Sequence, residues 1–138
     1  MNKRKNIDDL MLQLEKSINS SDLKSIVNLY PDYYRKTVSD LLSQDKLNEF
    51  NSKVGDIKIN MVGHTNFNLS QAEDVQNQID SNYEVNLKID DYQIVVINVT
   101  NSVGSVFEQT QLEVIKIKDE YYLYTEYYLG DLIQCFVE

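Results

Sequence analysis

The stretch 81–128 constrains this chain most, because its apolar residues recur with the period of a β-strand and its breaks carry turn chemistry. Tyr83, Val85, Leu87 and Ile89 alternate with Glu84, Asn86 and Lys88, which predicts a strand with one buried face. Asp90-Asp91 then predicts a tight turn. Ile94-Val95-Val96-Ile97 is apolar on both faces and predicts a central strand. Residues 101–105 supply the next turn, and a long strand runs over 106–118. Its phase changes midway: Leu112 and Val114 share one parity, Ile115 and Ile117 the other. A β-bulge near Val114-Ile115 would keep all four on one face, and a bulge is the expectation there. Lys118-Asp119-Glu120 reverses the chain, and residues 121–128 return with tyrosine on both faces. One tyrosine row packs, while the other is left to meet solvent or a ligand.

Helices precede this sheet. Ile7, Leu10, Met11, Leu14 and Ile18 fall at helical spacing, with Asn6 as N-cap and Asp8 and Asp9 in the first turn. Ser21 caps a second short helix carrying Leu23, Ile26, Val27 and Tyr30. Pro31 opens a third, with Tyr34, Val38 and Leu41 inward, which Leu47 and Phe50 extend past an interruption at Ser43-Gln44. Gly55-Asp56 marks the boundary to a first strand carrying Ile57, Ile59 and Met61, which runs to about Phe67. Ser70 and Glu73 have capping-box spacing and start a short helix over 70–80, with Ala72, Val75 and Ile79 inward. Tyr34, Leu87 and Val114 are expected between helices and sheet. The organisation is one domain: a basic disordered start at 1–5, helices over 6–50, strands with one short helix over 55–128, and a docked tail at 131–138. Its class is α+β, N-terminal helices packed on a curved antiparallel sheet.

The charge narrows the partners. The formal net charge is −9, and residues 3–5 hold three of the 13 basic side chains, so the remainder carries −12. Such a surface repels nucleic acid phosphates and anionic lipid; it suits a basic protein partner or plain solvation. The single cysteine, Cys135, excludes an internal disulfide and a multi-cysteine zinc site. No apolar run approaches the length of a membrane span, so no direct membrane insertion is expected.

Three helices, a strand, a helix and a curled meander form an order that resembles the nuclear transport factor two-like (cystatin-like) fold, a cone of helices wrapped by a bent sheet. Residues 22–31, Asp-Leu-Lys-Ser-Ile-Val-Asn-Leu-Tyr-Pro, are similar to the segment of a small helix then Tyr-Pro in small domains of this type from Gram-positive bacteria. Residues 114–123 are similar to their final hairpin, with Tyr121 where tryptophan is frequent. The resemblance spans roughly residues 6–128. It implies kinship with extracytoplasmic lipoprotein-type domains, although the lipoprotein cysteine is lacking near the start. An extracytoplasmic setting is implied if an export segment lies outside this sequence, and a cytoplasmic one otherwise.

The residues speak against most catalysis. His64 is the only histidine and sits beside Gly63 at a polar strand end, with no nucleophile elbow anywhere. Cys135 lies in the apolar tail with no basic neighbour, which suits a packed thiol. Isomerase-like chemistry needs a buried carboxylate of raised pKa with a tyrosine donor. Asp90, Asp91, Asp119 and Glu120 fall on predicted turns, and Glu126 stands in the tyrosine strand. No cofactor, metal ligand or catalytic residue is expected. The sequons at Asn19, Asn68 and Asn98 are what chance supplies in an asparagine-rich chain. The expected function is therefore a non-catalytic binding or assembly domain of a bacterial envelope or surface protein. Its candidate interaction surface is Tyr122, Tyr124, Glu126 and Tyr128, meeting a protein partner or a second copy through the sheet face. The alternatives are a cytosolic acidic partner, such as an immunity protein neutralising a basic toxin, and a small cone-pocket isomerase or dehydratase-like enzyme. A small-molecule ligand remains compatible with the binding reading.

Overall fold

The computed structural model describes residues 4–66, 69–86, 88–124 and 130–137. Four helices come first: α1 (Ile7–Asn19), α2 (Leu23–Val27), α3 (Asp32–Leu41) and α4 (Gln44–Val54). They are followed by β1 (Lys58–Asn66), α5 (Leu69–Tyr83), β2 (Ile89–Thr100), β3 (Ser105–Ile117), β4 (Glu120–Tyr124) and α6 (Asp131–Gln134). The strands form one antiparallel sheet in the order β1-β2-β3-β4. The expected α+β class, helices packed on an antiparallel sheet, is what the chain adopts.

Local signals set the helix ends. Asn6 Oδ1 accepts from the Asp9 N–H at 2.8 Å and starts α1. Asp22 rather than Ser21 caps α2, accepting from the Ser25 N–H. Ser43 caps α4, so the interruption at residues 43–44 separates two helices and the N-terminal helices number four. Leu10, Leu14, Ile18, Ile26, Tyr30, Leu47 and Phe136 are fully or nearly fully buried in one core with Val95, Ile97, Val99, Leu112, Val114 and Leu123. Each such aliphatic side chain contributes about 1.5–3 kcal/mol by leaving water.

The expected strand over residues 83–89 is instead the end of a helix and a connection. Ala72, Val75, Ile79 and Tyr83 follow one another at three- and four-residue steps, one stripe of α5. The Tyr83 ring packs on Tyr33 at 4.9 Å and edge-on to Tyr34 at 5.8 Å, which draws the helix on to that residue. Glu84 then takes φ 53° and ends it. The strand begins at Ile89, and Leu87 lies outside the described residues. Asp90-Asp91 is not a turn. Both lie within β2, where Ile89 faces Ile117 and Asp91 faces Lys116, so Asp90 is the extra residue of a bulge.

The bulge expected near Val114-Ile115 is absent. Pairing runs one to one through that point, with Val114 between Gln93 and Leu123 and Ile115 between Tyr92 and Tyr122. The parity change has another cause: the sheet is buried on both faces. Leu112 and Val114 enter the core under α1 to α4 and α6, whereas Ile115 and Ile117 pack with Ile89, Tyr124 and the Ala72/Ile79 stripe of α5. The β2–β3 ladder shifts register farther along, where Glu108 and Gln109 stand opposite Asn98 alone. Gln109 takes φ 52° there, and its N–H donates to Asn98 Oδ1 at 2.8 Å.

Of the basic start expected to be disordered, residues 1–3 lie outside the described residues, and Arg4 is packed against the sheet. Arg4 is 1 % exposed and closes the outer edge of β4. The Tyr121 N–H donates to Arg4 O at 2.9 Å, Arg4 Nε donates to Tyr121 O at 2.9 Å, and the guanidinium sits 4.9 Å over the Tyr122 ring, 3.5 Å from Glu120. The Leu123 N–H, next along that edge, donates to Leu29 O. At the opposite edge the Asn19 amide bonds both backbone groups of Ile57, and Glu15 accepts from the Ile59 N–H. Backbone carbonyls and side chains thus satisfy edge groups that would otherwise invite another strand.

The tail packs on the core over residues 131–137. Leu132, Ile133 and Phe136 are buried, the Ser43 N–H donates to Phe136 O, and Leu42 bridges to Val137. Gly130 makes the entry feasible, because a β-carbon there would stand 2.3 Å from Gln111 O.

Candidate functional site

The type I′ turn at Lys118-Asp119 sets the geometry. Both residues have positive φ, 50° and 64°, as a two-residue hairpin demands. Ile117 and Glu120 close it, and β4 returns beside β3 with Tyr121 and Leu123 on the inner face and Tyr122 and Tyr124 on the other.

The structure brings Tyr122 and Tyr124 together but does not leave them as an open row. Tyr124 is 3 % exposed, packed in the α5-covered cluster and edge-on to Tyr92 at 6.3 Å. The expectation of a solvent-facing row therefore fails at Tyr124, because α5 covers the face that was to be open. Glu126 and Tyr128 lie outside the described residues. Tyr122 is half-buried; its hydroxyl donates to Glu120 Oε1 at 2.8 Å, and burial, reinforced by that carboxylate, pushes its pKa up to about 12.

Tyr122 lines a groove at the surface. A groove of about 230 Å³ is lined by Pro31, Asp32, Tyr33, Val85, Ile117, Lys118 and Tyr122. Three parts of the fold meet there: the start of α3, the connection after α5, and the β3–β4 hairpin. Pro31 holds φ −61° ahead of α3 and so presents Asp32 and Tyr33 at the rim. Asp32 is paired to Arg35 at 2.5 Å, and Arg35 also donates to Tyr30 O and Asn28 O. The lining is two phenol rings, three apolar side chains, one compensated carboxylate and one cation. It holds no histidine or thiol.

A second arrangement lies under α5. Glu113 is 8 % exposed, and the Tyr92 hydroxyl donates to its Oε1 at 2.5 Å. Among the described residues its Oε2 has no hydrogen-bond partner. Burial raises the Glu113 pKa against the lowering effect of the Tyr92 bond, and burial together with Glu113 raises that of Tyr92. This is the buried carboxylate with a tyrosine donor that isomerase chemistry requires, at a residue the sequence reading passed over. The signal was present: Glu113 shares the parity of Ile115 and Ile117, so a second buried face places it inside. Neither Glu113 nor Tyr92 lines the groove.

His64 is an exposed residue of β1, and its register partner is Val95. Cys135 is half-buried, donates to Asp131 O at 3.4 Å, and has its pKa raised by burial and by Asp131. Asn19 and Asn98 are engaged in the hydrogen bonds to Ile57 and Gln109, and Asn68 lies outside the described residues. No described helix is long and apolar enough to cross a membrane. No family model matches the chain, and no curated protein or solved structure matches it.

Proposed function

We propose that this chain is a non-catalytic binding or assembly domain of nuclear transport factor two-like architecture, belonging to a bacterial envelope or surface protein, and that its contact surface is the groove around Tyr33 and Tyr122. The observation that carries this reading is the contrast between interior and rim. The space between the N-terminal helices and the sheet is packed with aliphatic and aromatic side chains, whereas the groove exposes two phenol rings beside Pro31, Val85 and Ile117. A tyrosine ring gives wide contact area, which suits a protein partner. The order of elements is compatible with the proposed architecture, and the resemblance supplies the envelope setting.

The experiment is affinity capture from the native host with three baits: the wild-type chain, Val85→Asp in the groove, and Met61→Asp on β1 away from it, each checked for folding by circular dichroism. A protein captured by wild type and Met61→Asp but lost with Val85→Asp is the expected result. Equal capture by all three folded baits refutes the groove. A basic captured partner whose binding collapses with salt would favour the immunity-type alternative, since the chain carries a net charge of −9. The enzyme alternative has one observation in its favour, the Tyr92–Glu113 pair, and neither residue lines the groove.

A further inference from the structure

Lys118 is an unusual residue for its place. The first central position of a type I′ turn favours asparagine, aspartate or glycine, because other L-residues resist positive φ. Lysine occupies it here at φ 50°, and this exposed residue lines the groove. A residue held against its local preference at the rim of a site points to a use for its side chain.

The surrounding charges isolate that ammonium. Arg35 pairs with Asp32, and Arg4 pairs with Glu120. Lys118 forms no ion pair or hydrogen bond among the described residues. Asp119 and Glu84 are exposed nearby in sequence but do not line the groove. In a chain of net charge −9, the groove therefore has one uncompensated positive charge beside an apolar wall of Tyr33, Val85, Ile117 and Tyr122.

We propose that the groove takes the end of a partner polypeptide: an apolar last side chain against Tyr33 and Tyr122, with the free terminal carboxylate on Lys118 Nζ. This rests on the reading of the groove as the contact surface and names what it recognises. One net positive charge matches one carboxylate. A space of about 230 Å³ open at the surface holds a single large side chain rather than an extended segment. Capture of a terminal carboxylate is a recurring mode of peptide recognition.

The test is fluorescence anisotropy with a labelled tetrapeptide ending in phenylalanine, as the free acid and as the amide. The acid should bind on the order of tenfold or more tightly than the amide, the worth of one charge-assisted hydrogen bond. Lys118→Asn should abolish that difference while raising the melting temperature, because asparagine suits the turn better. That pairing of outcomes separates recognition from a structural role. Equal binding of acid and amide to wild type overturns the carboxylate assignment. Unlabelled phenylacetate competing as well as unlabelled peptide overturns the polypeptide assignment. If neither peptide binds while Val85→Asp still abolishes partner capture, the chain-end inference falls and the groove remains the contact surface.

Discussion

Replacing Phe136 by alanine should destabilise the chain by about 3–5 kcal/mol, the range for removing a buried aromatic ring. Phe136 is 0 % exposed, meets Phe50 edge-on at 5.3 Å, and lies in the main core with Leu132 and Ile133. Its own carbonyl accepts from the Ser43 N–H at the start of α4, and the Leu42–Val137 bridge follows. The ring thus holds the tail where the α3–α4 junction needs a backbone partner. Domains of this size have total stabilities of about 5–15 kcal/mol, so the loss should move the urea midpoint far, or unfold a marginal protein outright. A loss below about 1 kcal/mol would mean that the tail is peripheral. Because fraying of the tail alone would also be cheap, tail amide exchange should be measured alongside.

Glu113→Gln should stabilise the protein at neutral pH, by about 1 kcal/mol, because the neutral amide carries no charge into the buried site and a buried charge costs at least that much. Burial raises the Glu113 pKa above its unfolded value. A group with a raised folded pKa contributes stability that is complete below the unfolded pKa and lost as pH rises through the folded one. Wild type should therefore lose stability relative to Glu113→Gln on going from roughly pH 4 to neutrality, the two curves approaching each other at the acid end. The glutamine amide oxygen still accepts from the Tyr92 hydroxyl, so the bond that positions the ring survives. Urea unfolding of both proteins across that pH range checks it. Parallel curves would show that Glu113 is solvated rather than buried under α5.

Much of the fold was legible because its signals are local. The Asn6 cap, the α1 stripe, the Asn101 turn and the reversal at Lys118-Asp119 each depend on residues within a few positions. The departures share one cause, the helix α5 packed on the second face of the sheet. A reader who assigns the sheet one buried face must mend the Ile115/Ile117 parity with a bulge, turn Tyr83 into a strand residue and leave Tyr124 in solvent. With α5 in place, the parity is ordinary alternation, Tyr83 completes a helical stripe, and Tyr124 is core. Glu113 then falls inside, which no pattern of charges announces. Arg4 was misread for a different reason: three successive cations look like a solvated start, and the Tyr121–Tyr122 surface that buries the middle one lies 117 residues away. Of the four candidate surface residues, Tyr122 lines the groove, Tyr124 does not, and Glu126 and Tyr128 lie outside the described residues.

The most direct measurement is the broadening of assigned tyrosine ring resonances by a soluble paramagnet. If the groove, and not the sheet face, is the accessible tyrosine surface, Tyr33 and Tyr122 should broaden while Tyr30 and Tyr124 stay sharp. Broadening of Tyr124 as strong as that of Tyr122 would mean that the second face is open, and would contradict both the two-faced sheet and the groove as its accessible end.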